Sequence, residues 1–124
     1  MRKVDTIQKE NKLNDVYSID EKANGGANHA YIVCKHGSEE VLSEIYFQKG
    51  GRNEFGSLSG VIDTDLLEIA RDRLISFQSG EFANKYNEKA IFFLERALYW
   101  LDKRVQERAK YGLIGREEKI KKGN

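Results

Sequence analysis

Four side chains in the C-terminal half of this 124-residue sequence could do binding chemistry together: Phe77, Asn87, Arg104 and Arg108. An aromatic ring can stack on a base, and a carboxamide matches a base's donor and acceptor edge. Two guanidinium forks one helical turn apart can address two neighbouring phosphates. Phe77 opens the motif F-Q-x-G (Phe77-Gln78-Ser79-Gly80), which also occurs as Phe47-Gln48-Lys49-Gly50. Each copy supports two readings, a core phenylalanine before a glycine-closed end or a ring with an amide, Gln78, beside it. Arg104 and Arg108 are open in the same way, since two arginines also balance the dipole at a helix C-terminus. Arg52 and Asn53 sit in a glycine-rich loop that could close over a ligand or form an exposed tip. His29 and Tyr31, two apart on one strand face at the mouth of a hairpin, fit a structural role more simply than a binding one.

Enzyme chemistry finds little support. Cys34 and His36 share a strand face, but that spacing does not activate a thiol. Two histidines and one cysteine do not make a metal set, so neither a metal nor a cofactor is expected. Gly25-Gly26 and Gly50-Gly51 match neither a Walker loop nor a dinucleotide fingerprint.

These residues need elements to hold them. Tyr86, Ala90, Phe93, Leu94, Ala97, Leu98, Leu101 and Val105 recur at steps of three and four, which predicts one long amphipathic helix from Asn84 to about Tyr111, closed at Gly112. A shorter helix is expected from about Thr64 to Gln78, with N-cap candidates at Asp63-Thr64-Asp65 and Gly80 at its end. Upstream, the β-branched and aromatic run His29–Lys35 and the alternating run Val41–Gln48 flank His36-Gly37-Ser38-Glu39, which predicts an antiparallel hairpin from about Ala30 to Gln48. Val16–Ile19 suits a short strand. Lys49–Gly60 holds four glycines and is too long for a tight turn. Met1–Asp15 is expected to be a flexible or partly helical polar arm, and Arg116–Asn124 a charged tail. The fold class is α+β, a hairpin or small sheet followed by a two-helix hairpin, in a single domain over 1–124.

Composition narrows the function. Lys and Arg number 21 against 20 Asp and Glu, a net charge of +1, so nucleic acid is a poor candidate partner and an anionic ligand must be met by local arginines. One cysteine excludes an intrachain disulfide framework, and no apolar run is long enough to cross a bilayer. A cytoplasmic protein without a membrane partner is expected. Geometry adds a constraint. Asn87 and Arg104, seventeen residues apart, lie roughly 25 Å apart along one helix. No mononucleotide-sized ligand reaches both within one chain. Antiparallel pairing of two chains would bring the Phe77/Asn87 end of one to the Arg104/Arg108 end of the other, and aromatics on more than one helix face (Phe92, Phe93, Tyr99, Trp100) also argue for a homodimer or higher oligomer.

The run F-Q-x-G-x-F…N-x-x-A-I-x-x-L-x-x-A-L-x-x-L-x-x-R-x-x-x-R-x-x-x-G-x-x-G, Phe77 to Gly115, resembles the first Thoeris anti-defence family of phage proteins. Its helical half is also similar to the related family that absorbs CBASS cyclic nucleotides. The resemblance implies a sponge, not an enzyme: an oligomer acting in the infected bacterial cytoplasm that holds glyco-cyclic ADP-ribose between protomers without cleaving it. It further implies Phe77 on the adenine, Asn87 on the polar edge, and Arg104 with Arg52 on the pyrophosphate. Some relatives also hold cyclic oligonucleotides at separate sites. Where relatives tend to carry a proline after the F-Q-x-G glycine, this chain has Gly51 and Glu81. Two other readings compete. One is a nucleic-acid-binding accessory protein using Arg104, Arg108, Lys119, Lys121 and Lys122, and the other is an enzyme that degrades the same cyclic nucleotide.

Overall fold

The computed structural model describes residues 1–112. Gly115 and the charged tail, including the lysines at 119, 121 and 122, lie outside the described residues. The chain forms two compact units, Met1–Val61 and a second beginning at Ile62.

The first unit is a four-stranded antiparallel sheet whose spatial order follows the chain: β1 (Arg2–Lys3), β2 (Asn14–Ser18), β3 (Ala30–Lys35) and β4 (Val41–Tyr46). The expected hairpin is β3–β4. Its register pairs Ala30 with Tyr46 and Tyr31 with Ile45, and a bulge at Val33/Cys34 places Val41 opposite Cys34. Gly37 turns the corner with φ near +72°, a conformation that suits glycine. Alternation then sorts the side chains. Val16, Val33, Tyr31 and Ile45 share one face, while Asp15, Tyr17, Ile32 and Cys34 share the other.

The polar arm expected at Met1–Asp15 is not an arm at its two ends. Arg2 and Lys3 pair with Ser18 and Tyr17, and β2 begins at Asn14, ahead of the expected Val16. A two-residue strand has no period to read. It is held from outside, by the Val4 N–H on the Val16 carbonyl (2.8 Å) and by the buried carboxylate of Asp15. Lys3 and Lys12 approach Asp15 Oδ1 at 3.6 and 3.4 Å, and His36 Nδ1 lies 2.9 Å from Oδ2. Burial alone would raise the Asp15 pKa. The His36 hydrogen bond and the charges of His36 and Lys3 outweigh it and hold the group below its ordinary value.

The glycine-rich loop is built, not slack. Lys49 and Leu58 exchange backbone hydrogen bonds at 2.9 and 2.8 Å, and Val61 runs beside Phe47 as a parallel bridge.

The second unit is a helical hairpin, α1 (Asp63–Gln78) and α2 (Lys85–Lys110). The N-cap of α1 is Ile62, earlier than the residues expected. Ile62 has no side-chain acceptor, so capping is one-sided: the Asp65 carboxylate reaches back to accept the Ile62 N–H at 2.9 Å. Asn84 caps α2 as expected, its Oδ1 accepting the Asn87 N–H at 2.8 Å, and Gly112 follows the helix with φ near +66°. Half-buried Asn87, Ala90, Ile91, Leu94, Leu98 and Leu101 make a helical stripe, the pattern of α2 packed on α1. Arg71 of α1 pairs with Glu95 of α2 at 2.7 Å. The wider stripe expected from sequence therefore splits. Its members Tyr86 and Phe93 remain 71% and 66% exposed, and Trp100, outside it, is 62% exposed.

Candidate functional site

The corner between α1 and α2 is closed by one side chain. The Gln78 amide donates from Nε2 to the Asn84 carbonyl (3.0 Å) and accepts the Asn84 N–H on Oε1 (2.8 Å). This reciprocal clamp joins the last residue of α1 to the N-cap of α2. It uses the amide edge that the sequence suggested for a base, so Gln78 shapes the corner. Phe77, the next residue back, is 39% exposed and is therefore not a core ring. The Arg73 guanidinium carbon lies 5.3 Å from its centroid, within cation–π range. Asn87 is half-buried in the first turn of α2, with its backbone N–H held by the cap. Phe77 and Asn87 thus flank the same clamped corner.

The other end of α2 carries the arginines, and the structure treats them differently. Arg104 is exposed and lines a shallow depression with Trp100, Lys103, Glu107 and Tyr111. Arg108 is buried and engaged. The i, i+4 spacing puts both on one face, as expected, but Arg108 is covered where Arg104 is open, so they do not present a matched pair of forks. Lys103, Arg104 and Lys110 outnumber Glu107 around the depression, which favours an anion.

In the first unit, Arg52 is held in place. Its Nε donates to Gln48 Oε1 at 2.9 Å and its Nη2 to the Gly60 carbonyl at 2.8 Å. Gln48 also donates from Nε2 to the Gly50 carbonyl (3.0 Å) and accepts the Gly60 N–H (3.3 Å). Gly60 has to be glycine, because a Cβ there would meet the Tyr46 carbonyl oxygen at 2.4 Å.

His29 and Tyr31 serve the hairpin. The His29 N–H donates to Asp20 Oδ2 (2.9 Å), and its carbonyl accepts the Phe47 N–H (2.7 Å). The backbone N–H of His29 is also the main reason the Asp20 carboxyl sits below its ordinary pKa, against the opposing effect of burial. Tyr31 meets Phe47 edge-on, with ring centroids 5.7 Å apart. His36 turns to Asp15, and Cys34 is a buried free thiol. Among the described residues there is no group of three or more His, Cys, Asp or Glu side chains that could hold a metal ion. No helix among the described residues is long and apolar enough to cross a membrane.

The clamping role of the two glutamines and the Asp15 cluster are not evident from the residue pattern. The first left a signal, a glutamine repeated two residues before a glycine that opens a loop. The second left only the i, i+3 pair Lys12–Asp15, because Lys3 and His36 meet Asp15 through the strand register.

Comparison with known proteins matches residues 39–106 to the family model of the Acb2/Tad1 hairpin domain, a span that covers β4, the glycine-rich loop, α1 and most of α2. The chain is also 42% identical over 78 residues to Thoeris anti-defense 1 of Bacillus phage SBSphiJ7, an alignment covering 63% of this chain and 54% of that protein. The chain thus spans about half the length of the curated relative it matches.

Proposed function

Because the chain belongs to the Acb2/Tad1 hairpin-domain family, we propose that it is a phage anti-Thoeris protein that binds glyco-cyclic ADP-ribose and withholds it, uncleaved, from the effector it would activate. The observation that carries this reading is the division of binding groups along α2. An exposed aromatic ring at the end of α1 and an amide in the first turn of α2 flank the corner at its N-terminal end, and an exposed arginine in a cationic depression stands at its C-terminal end.

Phe77 would stack on the adenine and Asn87 would meet a polar edge of the ligand. Arg104 would take the pyrophosphate, with Arg108 adding charge at the same helix end; Arg52 would offer a further guanidinium to an anionic group of the ligand. Gln78 holds the corner from which Phe77 and Asn87 project. His29 and Tyr31 support the hairpin and are assigned no direct contact. Stacking on an aromatic side chain contributes about 1–3 kcal/mol per base, and a charge-assisted guanidinium bond is roughly twice as strong as a neutral one.

The two ends of α2 are too far apart for one small ligand, so the site needs a second copy of the chain. The exposed Tyr86, Phe93 and Trp100 provide an apolar face that such a copy would cover. Antiparallel pairing would bring the partner subunit's Arg104 to the Phe77/Asn87 end and create two equivalent pockets. Cyclic oligonucleotides remain a further ligand class to test, at positions outside these residues.

The test is equilibrium binding of glyco-cyclic ADP-ribose by the wild-type protein and by Phe77→Ala and Arg104→Ala. Both variants should fold normally, since both side chains are exposed, and each should bind at least tenfold more weakly. Wild-type affinity in both would refute this site.

A further inference from the structure

The two F-Q-x-G motifs do the same mechanical work in two places. Gln78 reaches past Gly80 to grip the backbone of Asn84 from both sides. Gln48 reaches past Gly50 in the same manner, bonding the Gly50 carbonyl and the Gly60 N–H. In each copy the glutamine amide closes the irregular segment that follows, and a motif that looks like a ligand-reading amide is a loop lock.

The first lock holds something the second does not. Gln48 Oε1 also accepts the Nε–H of Arg52, while Arg52 Nη2 is tied to the Gly60 carbonyl. The guanidinium is therefore fixed at two of its three nitrogens while the residue stays exposed. An unrestrained surface arginine loses much of its rotamer freedom when it binds an anion. An arginine already fixed by its own loop has lost that freedom before the ligand arrives, and its planar fork is presented in one orientation.

We propose that Gln48 is a positioning residue for Arg52: it aims the Arg52 guanidinium at an anionic group of the ligand and is not itself a ligand contact. The proposal rests on the nucleotide-sequestering reading above for the identity of that anion. It assigns the loop between β4 and α1 a defined task, presenting one pre-oriented cation.

A double-mutant cycle with glyco-cyclic ADP-ribose as probe tests this, using Gln48→Ala, Arg52→Ala and the double variant. Gln48→Ala should lose most of the affinity that Arg52→Ala loses, on the order of fivefold to tenfold. The double variant should be no weaker than Arg52→Ala alone. A readout independent of ligand accompanies it, the Arg52 Nε–H resonance in proton–nitrogen NMR. That proton should exchange slowly in the wild type and rapidly in Gln48→Ala. Gln48→Glu keeps the acceptor oxygen, so it should preserve the slow Arg52 proton yet weaken the probe, because its carboxylate offsets the arginine's charge. Additive losses in the double variant, wild-type affinity in Arg52→Ala, or a slow Arg52 proton in Gln48→Ala would each overturn the proposal. If the wild-type protein fails to bind the probe, the sequestering reading falls, and the exchange rate of the Arg52 proton still decides whether Gln48 positions it.

Discussion

Replacing Gly60 with alanine should open the glycine-rich loop and release Arg52. A Cβ at this position would stand 2.4 Å from the Tyr46 carbonyl oxygen, 2.5 Å from the Phe47 carbonyl carbon and 2.7 Å from the Phe47 oxygen, where ordinary contact begins near 3.4 Å. All three atoms are backbone at the end of β4, so no side chain can rotate away, and the segment must retreat by about 1 Å. Forcing a methyl group into such a site costs about 1–3 kcal/mol. The retreat also strains the bonds that depend on this approach: Val61 N–H to the Tyr46 carbonyl (2.9 Å), Arg52 Nη2 to the Gly60 carbonyl (2.8 Å) and the Gly60 N–H to Gln48 (3.3 Å). At about 0.5–1.5 kcal/mol net per bond, losing two of them brings the total to about 2–6 kcal/mol. That is a large part of the stability of any small domain. Residue-resolved hydrogen exchange on Gly60→Ala should show lost protection at the Gln48 and Val61 amides, and urea denaturation should show a lower midpoint for the first unit. An unchanged midpoint with both amides still protected would refute the reasoning that space alone demands glycine here.

Asn84→Ala removes the acceptor that caps α2 while leaving the backbone that Gln78 grips, so it should lower stability by about 1 kcal/mol, with Asn84→Asp retaining most of it; thermal melts compare the two. The Asp15 cluster gives a pH signature. Its folded pKa lies below the ordinary 3.8, so the unfolded chain binds more protons between the two values, and the stability it contributes is complete above 3.8 and lost as pH falls through the folded value. Asp15→Asn should therefore be less stable than wild type at neutral pH and converge with it in strong acid, as read from unfolding midpoints across that range.

The helical half of the fold was legible because α2 is long and strongly patterned, with Asn84 and Gly112 marking its ends in residue types that have few other uses there. The β3–β4 hairpin was legible for a similar reason, alternation on both sides of a glycine turn. The first strand was not, because Arg2–Lys3 earns its place through register with β2 and through Asp15, and neither leaves a local trace. Within the candidate site, helical spacing correctly placed Arg104 and Arg108 on one face. Spacing says nothing about what covers a face, however, and one of the two is buried. Gln78 shows the opposite limit. Its spacing offers the amide to a ligand, and in the structure both amide atoms meet backbone groups of the N-cap six residues on. A polar side chain beside a helix end is more economically explained by the orphan groups of that end than by a ligand.

The most direct test of the central claim is to load the purified protein with glyco-cyclic ADP-ribose, remove the free ligand, denature by heat, and identify what is released. The intact cyclic nucleotide should be released in a fixed ratio to protein, unchanged by the length of incubation. Release of a cleaved product would contradict the claim and make the protein an enzyme; release of nothing would show that this chain does not hold the ligand at all.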